Sequence, residues 1–407
     1  MKKAVSLIMA SVMAVGVFAG CSKKFDKMDL RVGSDIKFGK YQGEAIEWEV
    51  AGRNFLIDEG KVRVELRSKY VIDCVPFDED GESTWEDCSL RKWLNEDFYN
   101  EAFSKSEQKM IADTPYFNIY GNTRFLTDKV YLMSYVPYRM QREDSACEPT
   151  GYAKDKDIIM SEDSCIYWSR DVAEASAAST VDGPYSRPFV LTLGDVSGNT
   201  GFGNHEFDAE DVGVRPVINV EYKVSFSRDD IRKDDIVTFG SYSGEPLEWY
   251  VIDKDKDGLT VLSRYAIDDM KMDSNGADSF EDTALYDWLN DDFVNDAFDS
   301  KQQKKIVAFD NGGSVSLISR DALNDLFHND RDFRNNLYTG YTPAFYAEHT
   351  ELEDEVLPAN KKIVDTFWLS DINGVNGNGT AFNMGRMSAE VPQDMEFSVR
   401  PLIKISF

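Results

Sequence analysis

The 407-residue chain carries 45 Lys plus Arg against 73 Asp plus Glu, for a net charge of −28, and 42% of its residues are hydrophobic. That balance excludes a disordered or collagen-like chain and a polytopic membrane protein. It also argues against nucleic acid as a partner, since phosphate binding needs clustered Lys and Arg, while the length suffices for two or three domains.

Lys2 and Lys3 are followed by an apolar run from Ala4 to Ala19 and then by Gly20-Cys21. A bilayer takes about 20 apolar residues to cross, so this shorter run reads as a signal peptide over residues 1–20. Phe18-Ala19-Gly20-Cys21 resembles the bacterial lipobox, in which the cysteine is acylated and becomes the new N-terminus. The resemblance implies lipid on Cys21, a tether over 21–29, and a membrane-anchored body in the cell envelope facing away from the cytoplasm. Ser22 rather than Asp after the cysteine points to the outer membrane if the cell is diderm.

Next comes a repeat. Phe38-Gly39-Lys40-Tyr41-Gln42-Gly43-Glu44 with Glu47-Trp48 returns as Phe239-Gly240-Ser241-Tyr242-Ser243-Gly244-Glu245 with Glu248-Trp249. Leu90-Arg91-Lys92-Trp93-Leu94-Asn95 returns as Leu285-Tyr286-Asp287-Trp288-Leu289-Asn290. Tyr167-Trp168-Ser169 is echoed by Phe367-Trp368-Leu369, and Val214-Arg215-Pro216 by Val399-Arg400-Pro401. Four blocks in one order predict two tandem copies of a domain, 30–221 and 233–407, with a junction at 222–232.

Within each copy, short apolar stretches at 46–50 and 62–66, and at 247–252 and 259–262, predict an N-terminal hairpin. Leu90, Trp93, Leu94, Phe98 and Ala102 recur at helical spacing over 89–103, with Ser83 or Thr84 as the expected cap. Ser104 to Glu107, and Asp299 to Gln302, have capping-box spacing for a following helix. Short apolar runs then close each copy, so the fold class is α+β.

The order of these blocks resembles the bacterial domain-of-unknown-function 6273 family, common in surface lipoproteins. Phe38, Gly39, Trp48, Leu90, Arg91, Trp93, Asn95, Trp168, Arg215 and Pro216 carry the resemblance, with counterparts in copy two except Tyr286 at the place of Arg91. More distantly, the element order looks like the C-type-lectin-like fold. The family implies no activity, and a fold does not fix one.

The chemistry of known sites is mostly missing. Glu148-Pro149-Thr150 lacks the amide of a calcium-dependent lectin tripeptide, and His205, His328 and His349 have no metal-ligand spacing. Asp253 to Gly258 opens like a calcium loop but has Arg264 at its twelfth position, so a hairpin turn is expected. No metal, cofactor or catalytic residue is assigned. With Cys21 spent on lipid, Cys74, Cys88, Cys147 and Cys165 are candidate disulfide partners, Cys74 with Cys88 and Cys147 with Cys165 being the most local of three pairings. The repeated tryptophans read as core. Tyr116, Phe117, Tyr120, Tyr338, Tyr341, Phe345 and Tyr346 lie in segments that differ between copies and are the ligand-binding candidates. The expected function is therefore a lipid-anchored recognition protein for a glycan or a surface protein. An extracytoplasmic enzyme on the same fold and a structural envelope lipoprotein are the alternatives.

Overall fold

The computed structural model describes residues 30–81, 83–118, 124–134, 146–173, 189–195, 201–233, 235–329, 366–373, 377–383 and 386–407. Strands dominate these residues and the helices are short. The chain starts with β1 (Asp35–Tyr41), β2 (Glu44–Leu56) and β3 (Lys61–Ser68). In β3, Val62, Val64 and Leu66 alternate with Lys61, Arg63, Glu65 and Arg67, so one face packs inward and the other keeps its charges toward water. The residues at 50 and 66 pair across β2 and β3, as the predicted hairpin requires. What the sequence reading missed is β1, which lies on the other edge of β2.

The β1–β2 turn is Gln42-Gly43, with φ of 47° and 87°, and Ser243-Gly244 turns the second hairpin with φ of 49° and 83°. Positive φ at both central residues is the geometry of a two-residue hairpin turn. The repeated Phe-Gly sits at a register shift in both first strands. Gly39 has φ of 73°, and a Cβ there would lie 2.6 Å from the Phe103 ring; on Gly240, with φ of 77°, it would lie 2.5 Å from Phe298. Only glycine fits such a place.

Ten strands form one sheet: Val315–Ser316, Leu402–Ile405, Leu259–Ser263, Glu245–Lys254, Ile236–Tyr242, β2, β3, Val217–Lys223 and Val130–Tyr131, with β1 attached to β2 off this path. The seam between the halves is parallel, with Ile236, Val237 and Thr238 opposite Asn54, Phe55 and Leu56. Arg53 and Asp235 form a buried ion pair at 2.5 Å beside it. Asn54 donates to Glu248 and accepts from Thr238, both at 3.0 Å. The halves thus share a sheet and one hydrophobic core, which contains Trp48 and Trp249 alike.

Two smaller sheets have matching orders. One runs Gly201–His205, Phe189–Asp195, Tyr167–Ala173, Gly213–Val214, Asp73–Cys74; the other runs Arg386–Val391, Gly379–Asn383, Thr366–Ile372, Glu396–Val399, Asp268–Lys271. In both, the tryptophan strand makes the one parallel pairing, Tyr167 with Gly213 and Phe367 with Ser398.

The Trp-Leu-Asn helix forms where its periodicity predicts. It comprises Ser89–Trp93, a π-turn at Leu94–Phe98 and Tyr99–Ala102, matched by Ala284–Trp288, Leu289–Phe293 and Val294–Ala297. Its cap is neither Ser83 nor Thr84 but Cys88, whose Sγ accepts the Arg91 N–H. Both expected capping boxes are present, Ser104 with Glu107 and Asp299 with Gln302. Asn95 does more than satisfy a helix end. Its amide donates to the Arg91 and Val130 carbonyls and accepts from the Lys129 and Val130 N–H groups, tying the helix to the outermost strand of the ten. Asn290 binds Tyr286 and Val315 in the same way.

Repeated tryptophans and arginines are spent on backbone. Trp48 and Trp249 donate to the Phe38 and Phe239 carbonyls, Trp168 and Trp368 to those of Val75 and Met270. Buried Arg215 donates to the Ser68 carbonyl and the Tyr167 hydroxyl, and buried Arg400 to the Ser263 and Arg264 carbonyls. Such pairing is what buried polar groups require.

Candidate functional site

A cleft of about 300 Å³ opens where the β1–β2 turn meets the segment around Pro149. Tyr41, Glu44, Glu47, Ser68, Tyr70 and Tyr152 are among its lining residues. Local hydrogen bonding explains its walls. Val71 N–H donates to the Glu148 carbonyl at 3.0 Å and Thr150 N–H to the Val71 carbonyl at 2.9 Å, a parallel bridge that lays 148–150 beside 69–72. Thr150 then caps the short helix Gly151–Lys154 by accepting the Ala153 N–H, which projects Tyr152 over the cleft from an exposed position.

Tyr41 forms the opposite wall. Its hydroxyl donates to Asp73 Oδ2 at 2.5 Å, and buried Asp73 also holds Lys156 at 2.6 Å and the Cys74 N–H at 2.7 Å. Burial first, and then the Asp73 carboxylate, push the Tyr41 phenol far above its ordinary value, so it remains a donor. Burial works against the Lys156 ammonium, but the hydrogen bond and charge of Asp73 outweigh it and its pKa rises. The Tyr41 and Tyr152 rings meet edge to face at 6.1 Å, and Lys156 lies 5.1 Å from the centre of the Tyr152 ring. Glu47 is paired with Lys37 at 2.8 Å, and Glu44 stands exposed at the mouth. The arrangement offers stacking faces, hydroxyls and carboxylate acceptors within one concave surface.

A second cavity of about 590 Å³ lies across Pro149, between Glu148, Lys154, Asp157, Met160 and Asp163. It has no aromatic wall.

Two of the predicted ligand-binding residues are among those described. Tyr116 and Phe117 lie in the strand Thr114–Asn118, opposite Leu126 and Phe125 of Arg124–Asp128. Cys21, Tyr120, Tyr338, Tyr341, Phe345 and Tyr346 lie outside the described residues. The other four cysteines are buried thiols. Cys74, Cys147 and Cys165 share one small core, whereas Cys88 belongs to the main core with its thiol on the Trp85 carbonyl, so the expected Cys74–Cys88 pair is not brought together. Cys165 N–H donates to the Cys147 carbonyl at 2.7 Å, and the Cys165 thiol lies 2.9 Å from the same oxygen. In the calcium-like stretch, Asp255 accepts from the Asp257 and Gly258 N–H groups and pairs with Lys404, as a hairpin turn would have it. His205 hydrogen-bonds Thr192. Among the described residues no cluster of His, Cys, Asp and Glu is placed to hold a metal, and no helix is long and apolar enough to cross a membrane.

Residues 63–222 match the family model described as a domain of unknown function, DUF6273. The match begins at β3, takes in the Trp-Leu-Asn helix, the Trp168 strand and Arg215, and ends with Val217–Lys223. The DUF6273 region therefore contains the Tyr70 and Tyr152 side of the cleft, while Tyr41 and Glu44 come from the hairpin before it. No curated protein and no solved structure matches the chain.

Proposed function

We propose that this chain is a binding protein of the cell envelope, anchored through acylated Cys21, and that the Tyr41–Tyr152 cleft is where it takes a glycan or a peptide segment. The observation that carries the reading is the cleft itself, which Tyr41, Tyr70 and Tyr152 line together with the carboxylates of Glu44 and Glu47. Sugars present both C–H faces and hydroxyls, and such a surface complements both. Binding is favoured over turnover because Tyr41, Asp73 and Lys156 satisfy one another, which leaves none of the three poised to exchange a proton with a substrate.

On the same reading, 30–221 and 233–407 are two copies of one C-type-lectin-like domain. The matching orders of the smaller sheets and the paired roles of Asn95 with Asn290 and Trp48 with Trp249 support the duplication. The cleft would then be a specialisation of the first copy.

The test is a glycan array and a peptide pull-down with the chain lacking residues 1–21, run beside Tyr152→Ala. Tyr152 is exposed, so the variant should fold as the parent does and lose at least tenfold in affinity. A ligand held equally well by parent and variant would place the binding surface elsewhere. Labelling with a fatty-acid analogue that marks Cys21→Ser as strongly as the parent would remove the anchor.

A further inference from the structure

We propose that Cys147 and Cys165 form a disulfide in the exported protein, and that this bond ties together the two ends of the segment that carries Tyr152. Cys165 N–H donates to the Cys147 carbonyl at 2.7 Å, which sets the two residues beside each other, while the Cys147 thiol faces the Lys69 and Glu148 carbonyls. Cys165 Sγ lies 2.9 Å from the Cys147 carbonyl, and the Cys147 N–H donates to Ser164 at 3.0 Å, so the two ends are already side by side. Cys74 shares the same core but turns its thiol to the Ala153 carbonyl at 3.9 Å. Cys88 is occupied as a helix cap in the main core.

Either sulfur can begin the exchange while the chain is still open. With Cys147 first, its thiolate attacks one sulfur of an oxidant disulfide, either a small molecule such as glutathione disulfide or a protein disulfide, and releases one oxidant thiol. Cys165 then loses its proton and attacks Cys147 Sγ, forming the bond and releasing the second thiol. The pair loses two electrons, the oxidant gains them, and both protons end on its thiols. Since both sulfurs are buried, the exchange takes place before this small core closes.

The consequence lies in the cleft. Pro149 to Tyr152 sits between the two cysteines, so the bond would fix that wall against the strand Ser164–Cys165 whatever ligand the cleft takes.

The test is alkylation of the exported chain under denaturing, non-reducing conditions, followed by peptide mapping. One linked pair containing Cys147 and Cys165 is expected, with Cys74 and Cys88 alkylated. Refolding the purified chain with glutathione disulfide gives the same readout independently of where the cell places the protein. Free Cys147 or Cys165 after both treatments, or a link to Cys74 or Cys88, overturns the proposal. Reduction should lower the Tm by about 5 °C, as removal of a bridge over a loop of this size does, and should leave Cys147→Ala/Cys165→Ala unmoved. A Tm equally insensitive in the parent overturns the tie.

Discussion

The Cys88 thiol caps its helix as the Thr283 hydroxyl caps the other: Cys88 Sγ accepts the Arg91 N–H at 3.4 Å and faces the Trp85 carbonyl, while Thr283 Oγ1 accepts the Tyr286 N–H at 3.1 Å and donates to the Phe280 carbonyl. Sulfur here replaces oxygen at a capping position. Cys88→Thr should therefore stay within about 0.5 kcal/mol of the parent, whereas Cys88→Ala should lose about 1 kcal/mol, the usual worth of a cap. Urea unfolding separates the two variants. Burial also pushes the Cys88 thiol up to about 12, so a thiol reagent at pH 8 should label it only after unfolding.

Asn95 and Asn290 each join a π-turn to the end strand of the main sheet. Asn95→Ala would strand the Val130 carbonyl and two N–H groups, at a cost of about 2 kcal/mol. Asn95→Asp should cost as much, because a carboxylate cannot donate to the two carbonyls. A denaturation midpoint unchanged in either variant would show that the tie is not what holds the edge.

Gly39 and Gly240 combine positive φ with a ring at the Cβ position. Gly39→Ala should destabilise by about 2 to 3 kcal/mol, well beyond a glycine-to-alanine change in ordinary backbone. Thermal unfolding beside Gly43→Ala, which also has positive φ but nothing within 4 Å, isolates the part due to Phe103.

Acid should loosen the second helix at a definite side chain. Asp273 accepts the Asn275 and Ala284 N–H groups, and these bonds hold its carboxyl below the ordinary 3.8. A depressed folded-state pKa means stabilisation that is present above that ordinary value and lost as pH falls through the lower, folded one. Between pH 5 and pH 2 the Tm should fall more steeply for the parent than for Asp273→Asn. Parallel slopes would refute it.

What the sequence disclosed and what it hid divide along chain distance. The capping boxes, the helix over 89–103 and the pairing of β2 with β3 rest on residues a few positions apart, and their periodicities stand in the chain. Cys88 escaped notice because sulfur is a weak acceptor and two hydroxyls stood nearby at Ser83 and Thr84. The cleft was hidden for a different reason. Its walls come from 41–47, 68–72 and 149–152, and no local pattern brings Tyr41 to Tyr152. Tyr41 and Tyr242 occupy matching places in the repeat, and repetition is what a shared core produces, so it does not mark Tyr41 as a lining residue.

The parallel seam between Ile236–Tyr242 and β2 carries a consequence for anyone who would divide the chain at 222–232. A first half produced alone would leave the Asn54, Phe55 and Leu56 backbone as a naked hydrogen-bonding rim, next to an Arg53 deprived of its counterion. Such a rim recruits strands from other molecules. Self-association, rather than a well-behaved monomer, is what severing this molecule at its apparent linker should yield.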